Sequence, residues 1–222
     1  STAVANAEVG KSLPLADMQD FEDAARGLIA SQQPLQVTGN DGKILWNMQD
    51  YAFIKDEAPA SVNPSLWRQA KLNNINGLFE VTPGIYQLRG FDLANISLIQ
   101  GKTGWILVDP LTTAPTARNA LAFAREKLGQ QKISAIIFIH SHIDHFGGID
   151  GVLDDAERQS VQVIAPQGFL EEASSENILA GPAMQRRAQY MYGSRLPRST
   201  TGHVDTGLGK QPPLGGEIGI LR

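Results

Sequence analysis

The sequence predicts an α/β fold of the α+β sandwich type, in which helices pack against a β-sheet. The first observation is a series of four short, β-rich segments between residues 77 and 109, which turn sequences separate. The second is a helical pattern over Ala114–Leu128, with Leu121 and Leu128 on one side. The third is the continuous apolar segment Ser134–Ile139, which is typical of a strand buried on both faces. Antiparallel strands followed by a strand–helix–strand alternation therefore indicate a single sheet covered by helices.

The composition excludes several classes of protein. With 42% hydrophobic and 19% charged residues, the 222-residue chain has the balance of a globular protein rather than a disordered one. Its net charge of −4 provides no basic surface for nucleic acid. No apolar segment approaches the ~18 residues of a membrane span, and the absence of cysteine excludes disulfides and thiolate metal ligands. We therefore expect neither a nucleic-acid partner nor a membrane span.

Residues 1–75 are predicted to form a lead-in that packs on the domain that follows. Apolar residues at helical spacing predict a helix over Leu15–Ser31. Two short strands, Gln36–Thr38 and Lys43–Trp46, flank an Asp-Gly turn and predict a hairpin. A proline that follows an asparagine predicts a short helix over residues 64–74.

Residues 76–222 are predicted to form the domain that contains the sheet. Beyond the apolar strand Ser134–Ile139, the pattern predicts a further strand at Val161–Ala165 and mainly helix over residues 167–193. The segment Leu208–Arg222 is rich in Gly and Pro and has no closing helix or strand, so we expect the domain to be truncated at its C-terminus. The start at Ser1, without methionine, is compatible with removal of a signal peptide and favours export.

Three of the four histidines lie within six residues, in a segment that contains His140, His142, Asp144 and His145. The segment follows the apolar strand and runs into two glycines. Side chains at the end of a buried strand are held by a rigid scaffold yet are open to a cleft. Residues two apart at a strand terminus can point the same way, so the first two histidines could face one metal.

Imidazole and carboxylate donors suit Zn²⁺, and also iron or manganese. His140 and His142 are the predicted ligands of one ion, and Asp144 and His145 those of a second ion a few ångströms away. We assign Asp144 and His145 as catalytic residues as well. The alternative is a polar loop in which histidines cluster by chance, but this pattern after a β-branched strand strongly favours a metal site.

Asp109 is the second candidate site residue. It ends the segment Trp105–Val108, so its carboxylate could lie at the same edge of the sheet as the histidines and orient one of them. The alternative is that it only caps the strand. For the isolated His203 we favour a structural role.

Other candidate features are weaker. Gly101-Lys102-Thr103 lacks the upstream glycine and the following helix of a phosphate-binding loop, and Ser141 has no separate Ser-His-Asp arrangement. Arg186 and Arg187 are more simply solvated helix charges than a sulfate site, because adjacent helical residues point about 100° apart. Two tyrosines, at 190 and 192, could line a channel or pack on the core, so the substrate-binding residues stay unknown.

With these residues in place, the chain resembles the metallo-β-lactamase superfamily, and within it the alkyl sulfatase family that hydrolyses dodecyl sulfate. The segment FIHSHIDHFGGIDGV carries the first resemblance. The second rests on VIAPQGFLEEASSENILAGPAMQRRAQYMYG, on LPRSTTGHVDTGLG, and on the lead-in sequence LPLADMQDFEDAARGLIAS with the Trp46 hairpin. The match spans nearly the whole chain and implies the αββα metallo-β-lactamase fold, here as its N-terminal portion.

The resemblance implies a zinc-dependent hydrolase with a binuclear site. The expected reaction converts a linear alkyl sulfate ester into an alcohol and inorganic sulfate, with a metal-activated water as nucleophile. The expected substrate is an amphiphile, and the expected location is the periplasm or the exterior. Two alternatives stay open: another hydrolase of this fold that acts on a lactone or thioester, and a non-catalytic remnant of a metal site that binds a partner.

One departure from the family concerns length. Alkyl sulfatases continue with a helical dimerisation domain and a carrier-like domain, and their remaining metal ligands, two glutamates and a histidine, would lie beyond Arg222. Nothing after His145 offers a replacement in the sequence, because Glu171, Glu172 and Glu176 follow a solvent-facing helical pattern. Catalytic zinc typically has three protein ligands. We therefore expect the 222 residues to be inactive alone, and the full-length protein, with the remainder of the polypeptide as ligand donor, to be a homodimer.

Overall fold

The computed structural model describes residues 1–211, and their main feature is a seven-stranded sheet in the order β1-β4-β5-β6-β7-β8-β9. A separate two-stranded sheet pairs β2 with β3. The nine strands within residues 1–211 are β1 Leu28–Ala30, β2 Gln36–Thr38, β3 Ile44–Asn47, β4 Gly77–Thr82, β5 Ile85–Arg89, β6 Ile96–Gln100, β7 Trp105–Val108, β8 Ile133–Ile137 and β9 Gln162–Ile164. The helices are α1 Thr2–Gly10, α2 Gln19–Ala25, α3 Pro64–Leu72, α4 Ala114–Leu128, α5 Phe169–Ser174 and α6 Gly181–Tyr192, with a π-helical turn at Ser175–Leu179 between the last two.

The strand pairing in the sheet changes from antiparallel to parallel at the point that the sequence predicts. Strands β4 to β7 are joined by short turns and pair antiparallel. Helix α4 then crosses over, so β8 pairs parallel with β7, and β9 pairs parallel with β8. Parallel neighbours require such a crossover, because both strands must run in the same direction. The predicted mixed fold with helices on a sheet is confirmed.

The predicted helix over Leu15–Ser31 is wrong in its second half. Helix α2 ends at Ala25, and Gly27 follows with a positive φ of 73°. The next residues form β1, an edge strand that pairs antiparallel with β4, and the backbone N–H of Glu80 donates to the carbonyl of Gly27. The apolar pair at 28 and 29 fits either a helix face or a strand, and the backbone pairing offered by β4 decides for the strand. Helix α1 has no apolar periodicity that would predict it.

The lead-in contributes side chains to the core of the sheet. Leu35, Val37 and Trp46, from the small hairpin, are buried in the main hydrophobic cluster, and the Trp46 indole donates to the carbonyl of Gly90 at 3.0 Å. A second cluster joins the lead-in to a residue from near the end of the described chain, Val204. No helix formed by residues 1–211 has both the length and the apolar character needed to cross a membrane. Of the predicted C-terminal tail, residues 212–222 lie outside the described residues.

A close contact between two backbone segments closes the fold around the ends of β7 and β8. Gly148 donates its N–H to the carbonyl of Leu111 at 2.9 Å. A Cβ atom at Gly148 would overlap the carbonyl oxygen of Pro110, and one at Gly147 would overlap that of Thr112. Only glycine allows backbones to approach so closely. The segment after β8 therefore packs directly against the loop between β7 and α4.

Asp92 fixes the other side of that loop. Its buried carboxylate accepts hydrogen bonds from the backbone N–H and hydroxyl of Thr112 at 3.2 and 2.7 Å, from the hydroxyl of Thr116 at 2.6 Å and from the N–H of Leu93 at 2.6 Å. Burial raises the pKa of Asp92, and these four bonds oppose that rise. A buried carboxylate with four donors ties the β5–β6 connection to the start of α4.

We predict that Gly148→Ala destabilises the chain by about 3 kcal/mol, the upper end of the usual cost of overpacking, because a backbone carbonyl cannot move aside as a side chain can. The measurement is urea unfolding followed by tryptophan fluorescence. Gly181→Ala is the matched control: it lies at the first position of α6, where an added Cβ meets nothing closer than 3.9 Å. Its expected change is neutral or slightly stabilising, because alanine favours helix over glycine. Equal effects of the two substitutions would contradict the tight contact.

Candidate metal centre

The predicted metal-binding turn begins three residues after β8 ends. Residues Ile143–His145 form one turn of 3₁₀ helix, and the glycine contact holds the segment that follows. Asp109 lies directly after β7. Because β7 and β8 are parallel neighbours, their carboxyl ends meet at the same edge of the sheet, and this brings Asp109 and the turn together.

Asp109 uses both carboxylate oxygens to hold the turn. Its Oδ1 accepts a hydrogen bond from the backbone N–H of Ile139 at 3.0 Å, and its Oδ2 lies 2.8 Å from His145 Nδ1. The residue is 4% exposed and has a φ of 58°, a left-handed conformation that Asp and Asn tolerate better than most residues. In this geometry the carboxylate orients His145 and leaves its Nε2 directed away from the sheet edge.

His145 lies between two carboxylates. Its Nε2 is 3.3 Å from Asp144 Oδ2, on the side opposite Asp109. Burial lowers the pKa of His145, but the bonds to Asp109 and Asp144 outweigh burial and raise it to about 9. In return, although burial favours the protonated acid, the bond to His145 keeps the pKa of Asp144 below its ordinary value. The site therefore favours a positive charge at the position of this imidazole.

His140 and His142 complete the cluster. The ring centroid of His140 is 4.0 Å from that of His145 and 4.6 Å from that of His142. Burial, followed by the neighbouring imidazoles, lowers the pKa of His140. The side chain of His142 is 57% exposed, and its Nε2 lies 3.3 Å from Glu176 Oε1. The structure thus brings all four predicted ligand residues to one place.

One pair of donor atoms, from His145 and Asp144, has the spacing of two ligands on one metal ion. Two ligands of a tetrahedral zinc, each about 2.0–2.2 Å from the ion, lie about 3.3–3.5 Å apart. The 3.3 Å between His145 Nε2 and Asp144 Oδ2 matches that separation. Within residues 1–211, three or more His, Asp or Glu side chains do not converge in an arrangement that could hold an ion. Residues 1–211 alone therefore do not form a complete coordination site, and what they show is a cluster of three imidazoles and a carboxylate, with Asp109 bonded to one of the imidazoles.

The other candidates fall outside this cluster. Arg186 and Arg187 are exposed on α6, and Tyr190 is 92% exposed. Tyr192 is half-buried, and its carbonyl contacts Nδ1 of His203.

The structure places His203 in a structural setting. The residue is 2% exposed, with its ring edge-on to Tyr51. A buried ion pair between Lys210 and Asp205, 2.9 Å apart, lies in the same region.

Sequence reasoning missed two residues: Glu176, which contacts the turn, and Asp92, which fixes the loop between β7 and α4. Glu176 was interpreted as solvent-facing because a regular α-helix would turn it outward. The π-helical turn instead directs it to His142, whereas Glu171 and Glu172 are exposed as expected. Asp92, in a loop, had no periodicity to indicate burial. An acidic residue between Phe91 and Leu93 was the only available signal.

Known proteins of similar sequence agree with the family resemblance that the sequence indicates. The family model described as "Metallo-beta-lactamase superfamily" matches residues 89–157, which contain Asp109 and the whole turn. The alkyl/aryl-sulfatase BDS1 of Saccharomyces cerevisiae is 48% identical over 213 residues, which are 95% of this chain and 33% of that protein. The (R)-specific secondary-alkylsulfatase of a Pseudomonas species is 51% identical over 212 residues, 94% of this chain and 32% of that protein.

A solved structure agrees in three dimensions as well. The stereoselective inverting sec-alkylsulfatase Pisa1 from Pseudomonas sp. superposes with a TM-score of 0.91 at 50% identity, over 98% of this chain and 34% of that chain. The chain thus spans about a third of the length of the relatives that it matches. The chain therefore resembles the metallo-β-lactamase superfamily over residues 89–157, and over nearly its whole length it is similar to about a third of each alkyl sulfatase that it matches.

Proposed function

We propose that the full-length protein is a zinc-dependent alkyl sulfatase, which hydrolyses linear alkyl sulfate esters such as dodecyl sulfate to an alcohol and inorganic sulfate. The observation that carries the proposal is the 48–51% identity to named alkyl sulfatases over more than nine-tenths of this chain. That stretch includes a histidine and carboxylate turn with donor spacing suited to a metal. The proposal extends from this similarity to a substrate class for the full-length protein.

Each residue of the turn has a proposed role. His140 and His142 hold one ion, and Asp144 and His145 hold the other. When bound, the two ions supply Lewis acidity, which makes a water molecule acidic near neutral pH and stabilises negative charge on the sulfate oxygens. Asp109 keeps His145 in the tautomer whose Nε2 is free for a ligand bond. The two glycines after the turn hold these side chains against the end of β7.

The apolar part of the substrate also has a candidate location. A concavity of about 430 Å³ is lined by Phe138, two residues before His140, and by Val163, Phe169 and Leu170. Its lining is mostly apolar, as an alkyl chain requires. We propose in addition that the protein is periplasmic or secreted, as its amphiphilic substrates would suggest, and that the full-length form is a homodimer.

We propose that the 222 residues are inactive alone. The four turn residues give each of two ions two protein donors, fewer than the three of a typical catalytic zinc. By family resemblance, the missing donors lie in the two-thirds of the relatives that this chain does not span.

We predict that the full-length protein releases sulfate from C8–C12 alkyl sulfates, and that the 222-residue chain shows no release above buffer. Sulfate is measured by ion chromatography, and metal content by plasma mass spectrometry of the same preparations. Treatment with a chelator should abolish the activity, and added Zn²⁺ should restore it. If the full-length protein opened a lactone ring faster than it released sulfate, the substrate would be a lactone and the alkyl sulfate assignment would be wrong. Fewer than one bound ion per full-length chain would favour a non-catalytic binding protein instead.

A second prediction concerns Asp109→Asn in the full-length protein. Asparagine tolerates the left-handed backbone and can still accept from Ile139 N–H. However, its amide N–H₂ would face His145 Nδ1, which favours the tautomer that protonates Nε2 and blocks the ligand bond. The expected result is a 10–100-fold loss of zinc affinity, measured by competition with a chromophoric chelator.

The control for that prediction is Asp150→Asn, a carboxylate five residues beyond the turn that pairs with Arg158 on the surface. It should leave zinc affinity unchanged. An Asp109→Asn protein that binds zinc as tightly as the wild type would show that this carboxylate does not orient a metal ligand.

A further inference from the structure

His142 and His145 each lie near a carboxylate, but the two histidines differ in their surroundings. Asp109 supports His145 from the buried side of the turn, whereas His142 is directed outward, with its side chain 57% exposed. An exposed imidazole on a turn has several rotamers and two tautomers. A metal ligand at this position needs something to select one of them, because loss of that freedom otherwise opposes binding.

The partner of His142 comes from an element with unusual geometry. Glu176 lies in the π-helical turn Ser175–Leu179, and its Oε1 is 3.3 Å from His142 Nε2. Its side chain is 33% exposed, whereas Glu171 and Glu172, one turn earlier, are exposed. A single π-helical turn changes which face of the helix a residue occupies, and such turns occur often at functional sites.

The position of this element is fixed relative to the turn. Phe169 and Ala173, on α5, are buried in the main core. The Phe169 ring stacks on Phe138 at 5.4 Å and meets Phe146 edge-on at 5.2 Å. These two phenylalanines flank the metal-binding turn in the sequence, so a rigid aromatic cluster sets the distance between the helix and the turn. Asn177 Nδ2 donates to the carbonyl of Ala173 at 2.7 Å and ties the π-helical turn back to α5.

We propose that Glu176 is a positioning residue for His142, in the same relation that Asp109 has to His145; the inference rests on the proposed metal-dependent function. Through this 3.3 Å contact the carboxylate would take the Nε2–H of His142, which would leave Nδ1 as the free donor for a metal. The two histidines are thus held from opposite ring nitrogens: Asp109 takes Nδ1 of His145, and Glu176 takes Nε2 of His142. One ion would be bound through Nδ1 and the other through Nε2.

The charge of the site supports this arrangement. Three imidazoles lie together in the turn, and each nearby carboxylate offsets the positive charge that a bound cation adds. Glu176 carries its charge on an element separate from the sheet edge, and therefore connects the helical segment after β9 to the metal centre. Its role is to orient a ligand and not to bind the ion.

The test uses the full-length protein and four variants, Glu176→Ala, Glu176→Gln, Glu172→Ala and Glu172→Gln. Zinc dissociation constants are measured by chelator competition, and the d–d absorption spectrum is recorded with Co²⁺ in place of zinc. Thermal melts of the apoproteins check the fold. The Glu172 substitutions are matched controls, because that residue precedes Glu176 by one helical turn and is exposed.

We expect Glu176→Ala to weaken one of the two metal sites 10–100-fold and to change the Co²⁺ spectrum, without a change in the melt of the apoprotein. Glu176→Gln should retain most of the affinity, because the amide oxygen still accepts from Nε2–H. Both Glu172 variants should match the wild type.

Three outcomes overturn the inference. Unchanged zinc affinity in Glu176→Ala, in a wild-type background that binds two ions, would exclude the positioning role and leave the proposed function intact. A Gln variant as defective as the Ala variant would assign Glu176 as a direct ligand. A wild-type protein that binds no metal would contradict the proposed function itself, and the inference with it.

Discussion

The structure depends on the close approach of two backbone segments, residues 110–114 after β7 and residues 146–151 after β8. Glycines at 147, 148 and 151 each lie against a carbonyl of the other segment, where any side chain would overlap it. Leu111 has a φ of 65°, and such a conformation costs on the order of 1–3 kcal/mol in a residue other than glycine, so the surrounding packing must maintain it. The four-donor network of Asp92 supplies part of that packing. Strain held in place by packing is common where side chains must be presented in one geometry, and here it presents Asp109 to His145.

The electrostatics of the turn follow from this contact. A buried carboxylate at the end of one strand faces an imidazole from the next, and a second carboxylate lies on the other side of the same ring. Both favour a positive charge at that position, as a metal site requires. A carboxylate on the π-helical turn, that of Glu176, lies 3.3 Å from the outward histidine, His142. Under the proposed function, this part of the chain would therefore provide much of the orientation of the ligands, although the relatives that it matches are about three times as long.

The sequence predicted the elements whose pattern is local. The order of strands, the crossover helix and the position of His140, His142, Asp144 and His145 at a strand end follow from periodicity and turn chemistry. It failed where tertiary pairing decides between two local options, as for Leu28 and Ile29, which fit a helix until β4 offers hydrogen bonds. It also failed for Glu176, because a one-residue change in helical register has no signature in a single sequence. The role of Asp92 depends on four donors that are distant along the chain or in a loop, and composition does not reveal them.

The central claim is that the turn after β8 holds two metal ions in a full-length alkyl sulfatase. Anomalous diffraction from crystals of the full-length protein, recorded on both sides of the zinc absorption edge, tests it most directly. The account predicts two zinc peaks at the turn, each about 2.0–2.2 Å from its donor atoms, one beside His140 and His142 and the other beside Asp144 and His145. A map with no anomalous peak at the turn and with these four side chains directed apart would contradict it.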